Sequence, residues 1–392
     1  MIKRFLKSIG TPCLILLLMQ LLMYPYVFHI LFGLPPGNVM AVVFLGVVVV
    51  YDISNKHRYE SVPNQLIQIM LVQSFIWIIY FLYYNDTSYL VRIFFILLAF
   101  ASIRMLQGKS ELLHFSKVYN VTLTIQGVLG VVAFVLVYIN ILKPVFIHYY
   151  SDYRYLNWYI ITCSNAVYDN FMRVGGFFDE PGALAFWGIF ALLFNRFTYN
   201  NRRIEILLLI SLLFTFSAAY FILLPLYLLF FYAKEIKHLV ITIVVVVPLL
   251  FVGFNYLSGD ANFAHYTTER FVGGEIRSTR YDQSDYTKKI FEQSPIMGIG
   301  AKNLSQDTET TDNPYEILAK DGILGFIATY LPLIFITIKY RKNRNVLCGT
   351  ILLFLDYMQR PFHINELHFF MLYLYCTIII RQSRNEFKTE NI

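Results

Sequence analysis

Apolar residues in this chain run in continuous blocks of 13 to 25, separated by short polar breaks, rather than alternating with polar ones. That block length matches the hydrocarbon core of a bilayer. In lipid every backbone polar group needs an internal partner, which leaves helices or closed barrels. Continuous rather than alternating hydrophobicity selects helices. The pattern predicts twelve spans, at about 13–32, 38–51, 65–84, 89–105, 117–142, 178–195, 204–217, 219–233, 238–257, 315–338, 345–359 and 365–380. The expected fold is an all-α integral membrane protein. The seventh and eighth spans share one apolar run, broken at Ser217-Ala218-Ala219. A single long tilted helix is the alternative there, and it would reverse all downstream topology. The first block follows Lys3, Arg4 and Lys7 without a small-residue cleavage site behind it, so it reads as an uncleaved anchor rather than a signal peptide.

Charge separates the two topologies. With a cytoplasmic N-terminus, the inside segments hold Lys3, Arg4, Lys7; Lys56, Arg58; Arg104, Lys109, Lys117; Arg196, Arg202, Arg203; Lys234, Lys237; Lys339, Arg341, Lys342, Arg344; and Arg381, Arg384, Lys388. That is 20 of the 32 basic residues, while the short external breaks at 33–37, 85–88 and 217–219 carry none. This is the positive-inside distribution, and it holds only if 204–217 and 219–233 are two helices. Both termini are then cytoplasmic. The chain divides into a bundle over 1–142, an external loop over 143–177, spans over 178–257, a large external loop over 258–314 between spans nine and ten, and spans ten to twelve with a tail over 315–392.

Composition agrees: 57% hydrophobic and 15% charged residues, with a mean hydropathy of +0.55, exceed what a soluble domain of this length can bury. The net charge of +7 is largely a topology signal, not a nucleic-acid patch. Cys13, Cys348 and Cys376 fall in spans and Cys163 in the first external loop, in no disulfide or metal-ligand spacing. The internal loops are too short to form a domain, and Gly298-Ile-Gly-Ala-Lys302 lacks the spacing of a phosphate-binding loop. Chemistry is therefore expected at the outer face.

Two external stretches carry candidate residues. Arg173-Val-Gly-Gly-Phe-Phe-Asp-Glu-Pro-Gly-Ala-Leu-Ala185 leads into the sixth span. Asp179 or Glu180 would cap that helix, with Pro181 in its first turn. Gly175 and Gly176 allow a sharp turn or a close approach, and Arg173 beside a helix N-terminus makes an anion site or an interfacial arginine. Tyr149, Tyr150, Tyr153, Tyr155, Trp158 and Tyr159 read as an interfacial aromatic belt, with sugar stacking the sharper alternative. In the second stretch Arg277, Arg280, Ser284 and Lys288 fall on one face of a helix expected over 277–293. They form either a solvated face or a guanidinium clamp for a diphosphate. Pro295-Ile-Met-Gly-Ile-Gly300 then turns, Asp312-Asn-Pro-Tyr315 starts the tenth span, with Asp312 as its expected cap, and Asp321-Gly-Ile-Leu-Gly325 follows deeper. Arg92 and Asp356 are the main intramembrane charges, the latter close to Arg360. His148, His265, His363 and His368 could face outward, in no ligand spacing.

In order and placement these segments resemble the O-antigen polymerase and ligase superfamily of bacterial envelope polysaccharide assembly, over roughly 173–340. The resemblance implies an all-helical bundle of about a dozen spans in the bacterial cytoplasmic membrane. It also implies metal- and cofactor-free glycosyl transfer at the outer face, from oligosaccharides linked to undecaprenyl diphosphate. Carried over, Arg173, Arg277 and Arg280 would hold the diphosphate and stabilise its charge as the glycosidic bond breaks, supported by Lys288, Asn313 and Tyr315. Asp312 or Glu180 would be the base for the acceptor hydroxyl. Membrane lipid, a chain-length regulator and a flippase of the same pathway are the implied partners, and nucleic acid is not. The ligases usually carry His where Asp312 stands and Arg where Ala218 stands. Those departures favour a polymerase of O-antigen, capsule or exopolysaccharide repeat units. A ligase delivering glycan to an acceptor such as the lipopolysaccharide core is one alternative. A lipid-linked-sugar flippase or transporter is another, disfavoured by sparse intramembrane charge and no visible repeat.

Overall fold

A computed structural model describes residues 10–23, 25–54, 62–106, 108–149, 155–165, 167–168, 171–232, 279–305, 315–359 and 366–384, without the side chains of 109, 167, 168, 171, 279–284, 305, 359 and 366. The helices are α1 (Thr11–Leu22), α2 (Val27–Leu31), α3 (Gly37–Ser54), α4 (Asn64–Tyr84), α5 (Ser88–Met105), α6 (Lys109–Tyr138), α7 (Pro181–Phe197), α8 (Arg202–Leu213), α9 (Ala218–Tyr232), α10 (Thr279–Gln293), α11 (Ala301–Ser305), α12 (Glu316–Lys339), α13 (Arg344–Gln359) and α14 (Glu366–Ser383). Among the described residues five helices are long and apolar enough to cross a membrane: α3, α4, α5, most of α6, and α12. They present large apolar side chains outward, among them Val50, Leu71, Phe75 and Leu82, as lipid-facing helices do. The chain is a mostly helical, multi-pass membrane protein. The ninth expected span, 238–257, lies outside the described residues.

The bundle is built around α7 and α14. In α7 every residue but Arg196 is buried, and in α14 everything from Leu367 to Arg381 is. A helix apolar on all sides belongs in the centre. Helix α14 packs mainly on α5, with further contacts to α7 and α12.

Two expected spans take a different shape. The block at 13–32 breaks after Leu22: Met23 is extended and α2 starts only at Val27. Pro25 lies in the break, where it lacks the N–H a continuing helix would use. The apolar run at 204–233 is two helices, broken at 214–217, where Phe216 adopts φ 46°. They form an antiparallel hairpin. The Tyr220 hydroxyl donates to Leu209 O at 2.9 Å, and Tyr227 and Tyr232 both donate to the buried Glu205 carboxylate, with Arg196 3.8 Å away. At 12 and 15 residues, these helices are about 18 and 22 Å long.

The segment expected as the first external loop contains short strands that the hydropathy pattern does not announce. Strands β1 (Phe146–Tyr149), β2 (Tyr155–Trp158) and β3 (Cys163–Ser164) form an antiparallel sheet in that order, and β4 (Val167–Tyr168) pairs with β5 (Phe171–Met172). Tyr149 is exposed, Tyr155 and Trp158 are half-buried, and Tyr159 is buried. Tyr150 and Tyr153 lie outside the described residues.

Candidate functional site

The segment leading into α7 is held by broken helices. Arg173 donates its Nε–H to Thr215 O at 3.0 Å, and Val174 N–H donates to Phe214 O at 2.9 Å, so both bind the α8–α9 break. The chain then turns at Gly176, which has φ 60°. Phe177 N–H donates to Gln126 Oε1 of α6 and Gly176 N–H to Thr162 Oγ1. On the other side Val27 N–H donates to Phe177 O, and Asp179 N–H to Pro25 O. This turn therefore satisfies backbone groups that the breaks at 23–26 and 214–217 leave open, a necessity where water is scarce. Gln126 lies 12 residues before the end of α6, about 18 Å along the helix, so the turn is sunk well down α6 from its C-terminal end.

Glu180 occupies the N-cap of α7 and Pro181 its first turn, but the Glu180 side chain makes no capping bond. Asp179 is buried and Glu180 half-buried. Cys163, in β3, donates its thiol to Gly176 O at 2.9 Å. Burial, with the Asp179 carboxylate nearby, pushes that thiol well above its ordinary range. Since only the thiolate attacks electrophiles, Cys163 should resist maleimide at neutral pH in the native protein and react fully after SDS denaturation. Native-state labelling at the denatured rate would show that the turn is open.

A second unit joins motifs that are separate in sequence. Helix α10 spans 279–293, close to the expected 277–293, and docks on the start of α12 through Ile290, Leu304 and Ala319 with Tyr286, Phe291 and Ile299. Lys288 is exposed on the other side. Arg280 has its backbone in α10. Its side chain, and all of Arg277, Asp312 and Asn313, lie outside the described residues. Tyr315 is exposed and is itself the N-cap residue of α12, which shifts the cap from the expected Asp312.

Helix α12 is interrupted at Gly322 (φ 61°, ψ −168°). The interruption removes three i→i−4 bonds, those from the N–H groups of 323, 324 and 325 to the carbonyls of 319, 320 and 321. Five of the six groups find new partners. Ile323 N–H donates to Pro295 O and Leu324 N–H to Ile296 O. Ala319 O accepts from Ile299 N–H and Lys320 O from Gly300 N–H, both at 2.9 Å. The Tyr80 hydroxyl reaches into the third gap, donating to Asp321 O. The Pro295–Gly300 turn is thus stitched into the helix break.

Beneath the break is the ion pair that hydropathy alone does not connect. Arg92 Nη1 lies 2.7 Å from Asp321 Oδ2 and Nη2 3.3 Å from Oδ1, with both residues at 1% exposure or less. The guanidinium carbon lies 4.4 Å from the Trp77 ring centroid and 4.7 Å from that of Tyr89. The Tyr89 hydroxyl donates to Asp321 Oδ1 and accepts from Ala301 N–H. Tyr84 donates to Met297 O and Gly298 O, and Lys302 N–H donates to Asp86. The signal for the pair was two opposite charges in separate apolar spans, since a buried charge in lipid demands another.

Other candidates separate from both units. His368 is buried between Phe186, Trp187 and Tyr357 rather than facing outward. Asp356 is buried in α13, while Arg360, His265 and His363 lie outside the described residues. No family model and no curated protein matches this chain.

Proposed function

We propose that this chain polymerises oligosaccharide repeat units linked to undecaprenyl diphosphate at the outer face of the bacterial cytoplasmic membrane. The observation that carries the reading is the stitched unit: the helix bearing Arg280 and Lys288, the Pro295–Gly300 turn and the Asp321–Gly325 break form one body. These are the segments, in order, that resemble the polymerase superfamily. A helix that carries Arg280, Lys288 and Lys289, fixed against a bundle that also holds Arg173, offers cationic groups to an anionic lipid head group. Fixed guanidinium groups stabilise a departing diphosphate most when they need not move. Transporters leave broken helices open toward their ions or substrates. Here five of the six groups freed at Gly322 are hydrogen-bonded within the protein, which favours a scaffold over a transport site.

Deleting the gene should leave surface glycan with at most one repeat unit, read as chain length on a gel, and normal long chains in the deletion strain would sink the reading. A strain with polymerised but unattached glycan would instead select the ligase. Arg280→Lys should lower polymerisation of the lipid-linked precursor by at least about tenfold, because lysine keeps the charge but loses the paired N–H donors. Undiminished activity would remove bidentate phosphate recognition at this position.

A further inference from the structure

We infer that Arg92 and Asp321 are positioning residues: their ion pair, together with Tyr80, Tyr84 and Tyr89, fixes the orientation in which α10 is presented at the outer face. The inference rests on the function proposed above and assigns a role within it to residues that no substrate-facing motif includes.

Helix α10 is anchored to the rest of the protein at its C-terminal end. The chain leaves α10 at Gln293, enters the Pro295–Gly300 turn and continues into α11. That turn has two supports. One is the α12 break, through the four backbone hydrogen bonds of 295, 296, 299 and 300. The other is the α4–α5 corner, through Tyr84 on the carbonyls of 297 and 298, Tyr89 on the amide of 301 and Asp86 on the amide of 302. The two supports are held to each other by the Arg92–Asp321 pair.

The chemistry of the joint suits orientation. A guanidinium and a carboxylate meeting through two N–H···O contacts fix an angle as well as a distance. Apolar contacts between α5 and α12 could hold the helices together equally well, because burying an ion pair gains little net stability over well-packed apolar residues. They would not fix the rotation of α12 about its axis. The tyrosines reinforce the same geometry, since Tyr89 touches the carboxylate with the oxygen that also receives Ala301. A rotation of Asp321 is therefore transmitted to residue 301 through one hydroxyl.

The test uses the full chain in lipid nanodiscs, with spin labels on Asp285→Cys in α10 and Leu82→Cys in α4, both exposed positions. The native cysteines are buried. In the otherwise native background the electron–electron distance distribution should be narrow. The double variant Arg92→Gln/Asp321→Asn removes the charges together, so neither is left unpaired. It should broaden that distribution and lower precursor turnover per folded molecule about a hundredfold, as expected when reacting groups lose their alignment. Leu352→Ala, a buried substitution in α13, supplies general destabilisation without touching the joint and should leave the distribution narrow. An unchanged distribution in the double variant overturns the inference. So does a broadened one with undiminished turnover, or equal broadening in Leu352→Ala. Failure of the function itself is scored separately, as no polymerising activity in the unsubstituted chain.

Discussion

Gly322→Ala should prevent recovery of a folded, monodisperse protein. The backbone at 322 (φ 61°, ψ −168°) is in a region that only glycine enters readily, which alone costs a side-chain-bearing residue about 1–3 kcal/mol. Sterics add to it: a Cβ there would stand 2.3 Å from Ile296 O and 2.6 Å from Gly298 N. Ile296 O accepts from Leu324 N–H, one of the bonds that repair the helix break, and Gly298 N–H donates to Ser294 O within the turn, so neither atom can yield without undoing that structure. The consequence is unpaired amides and carbonyls in a membrane interior, each costing several kcal/mol. Gly46 in α3 is the matched control, because nothing lies within 4 Å of its added Cβ. Fluorescence-detected size-exclusion chromatography after graded heating would compare the two. A midpoint for Gly322→Ala equal to that of Gly46→Ala would refute the description of the break.

Asp321→Asn should destabilise the protein by about 3–5 kcal/mol, because it leaves the Arg92 guanidinium buried without its counter-charge. Arg92→Gln should cost a similar amount for the mirror-image reason. The double variant should be more stable than the sum of the two losses implies, since removing both charges removes the uncompensated one. Thermal midpoints of the four proteins form a double-mutant cycle, and the coupling it yields is the pair's own contribution. Strict additivity would mean that the two side chains do not meet.

Local physics made part of this structure legible beforehand. Wherever the chain is described, helices stand on the stretches hydropathy assigned, and α10 follows from the spacing of its charges. Separation of the α8 and α9 segments was legible from the basic cluster at 339–344, far along the sequence, because topology is a global constraint. The non-local features escaped. The break before α2 had Pro25 as a visible cause, but apolar residues on both sides masked it. Strands β1 to β5 are only two to four residues long, too short for alternation to announce them. Glu180 stands at the expected cap, yet its side chain is used otherwise. The Arg92–Asp321 contact joins residues 229 positions apart, and no periodicity reports it. Of the candidate site, the order of motifs was visible, but not that two of them interlock.

The α8–α9 hairpin has a consequence for the surrounding lipid. Its turn packs at the depth of Gly127, where Ser211 touches α6, and α6 continues 11 residues beyond that point, about 16 Å. Among the described residues the apolar girdle on this flank is shorter than a bilayer is thick, and acyl chains facing it would compress or splay to cover it. Such a dimple would bring lipid head groups toward the level of Arg173.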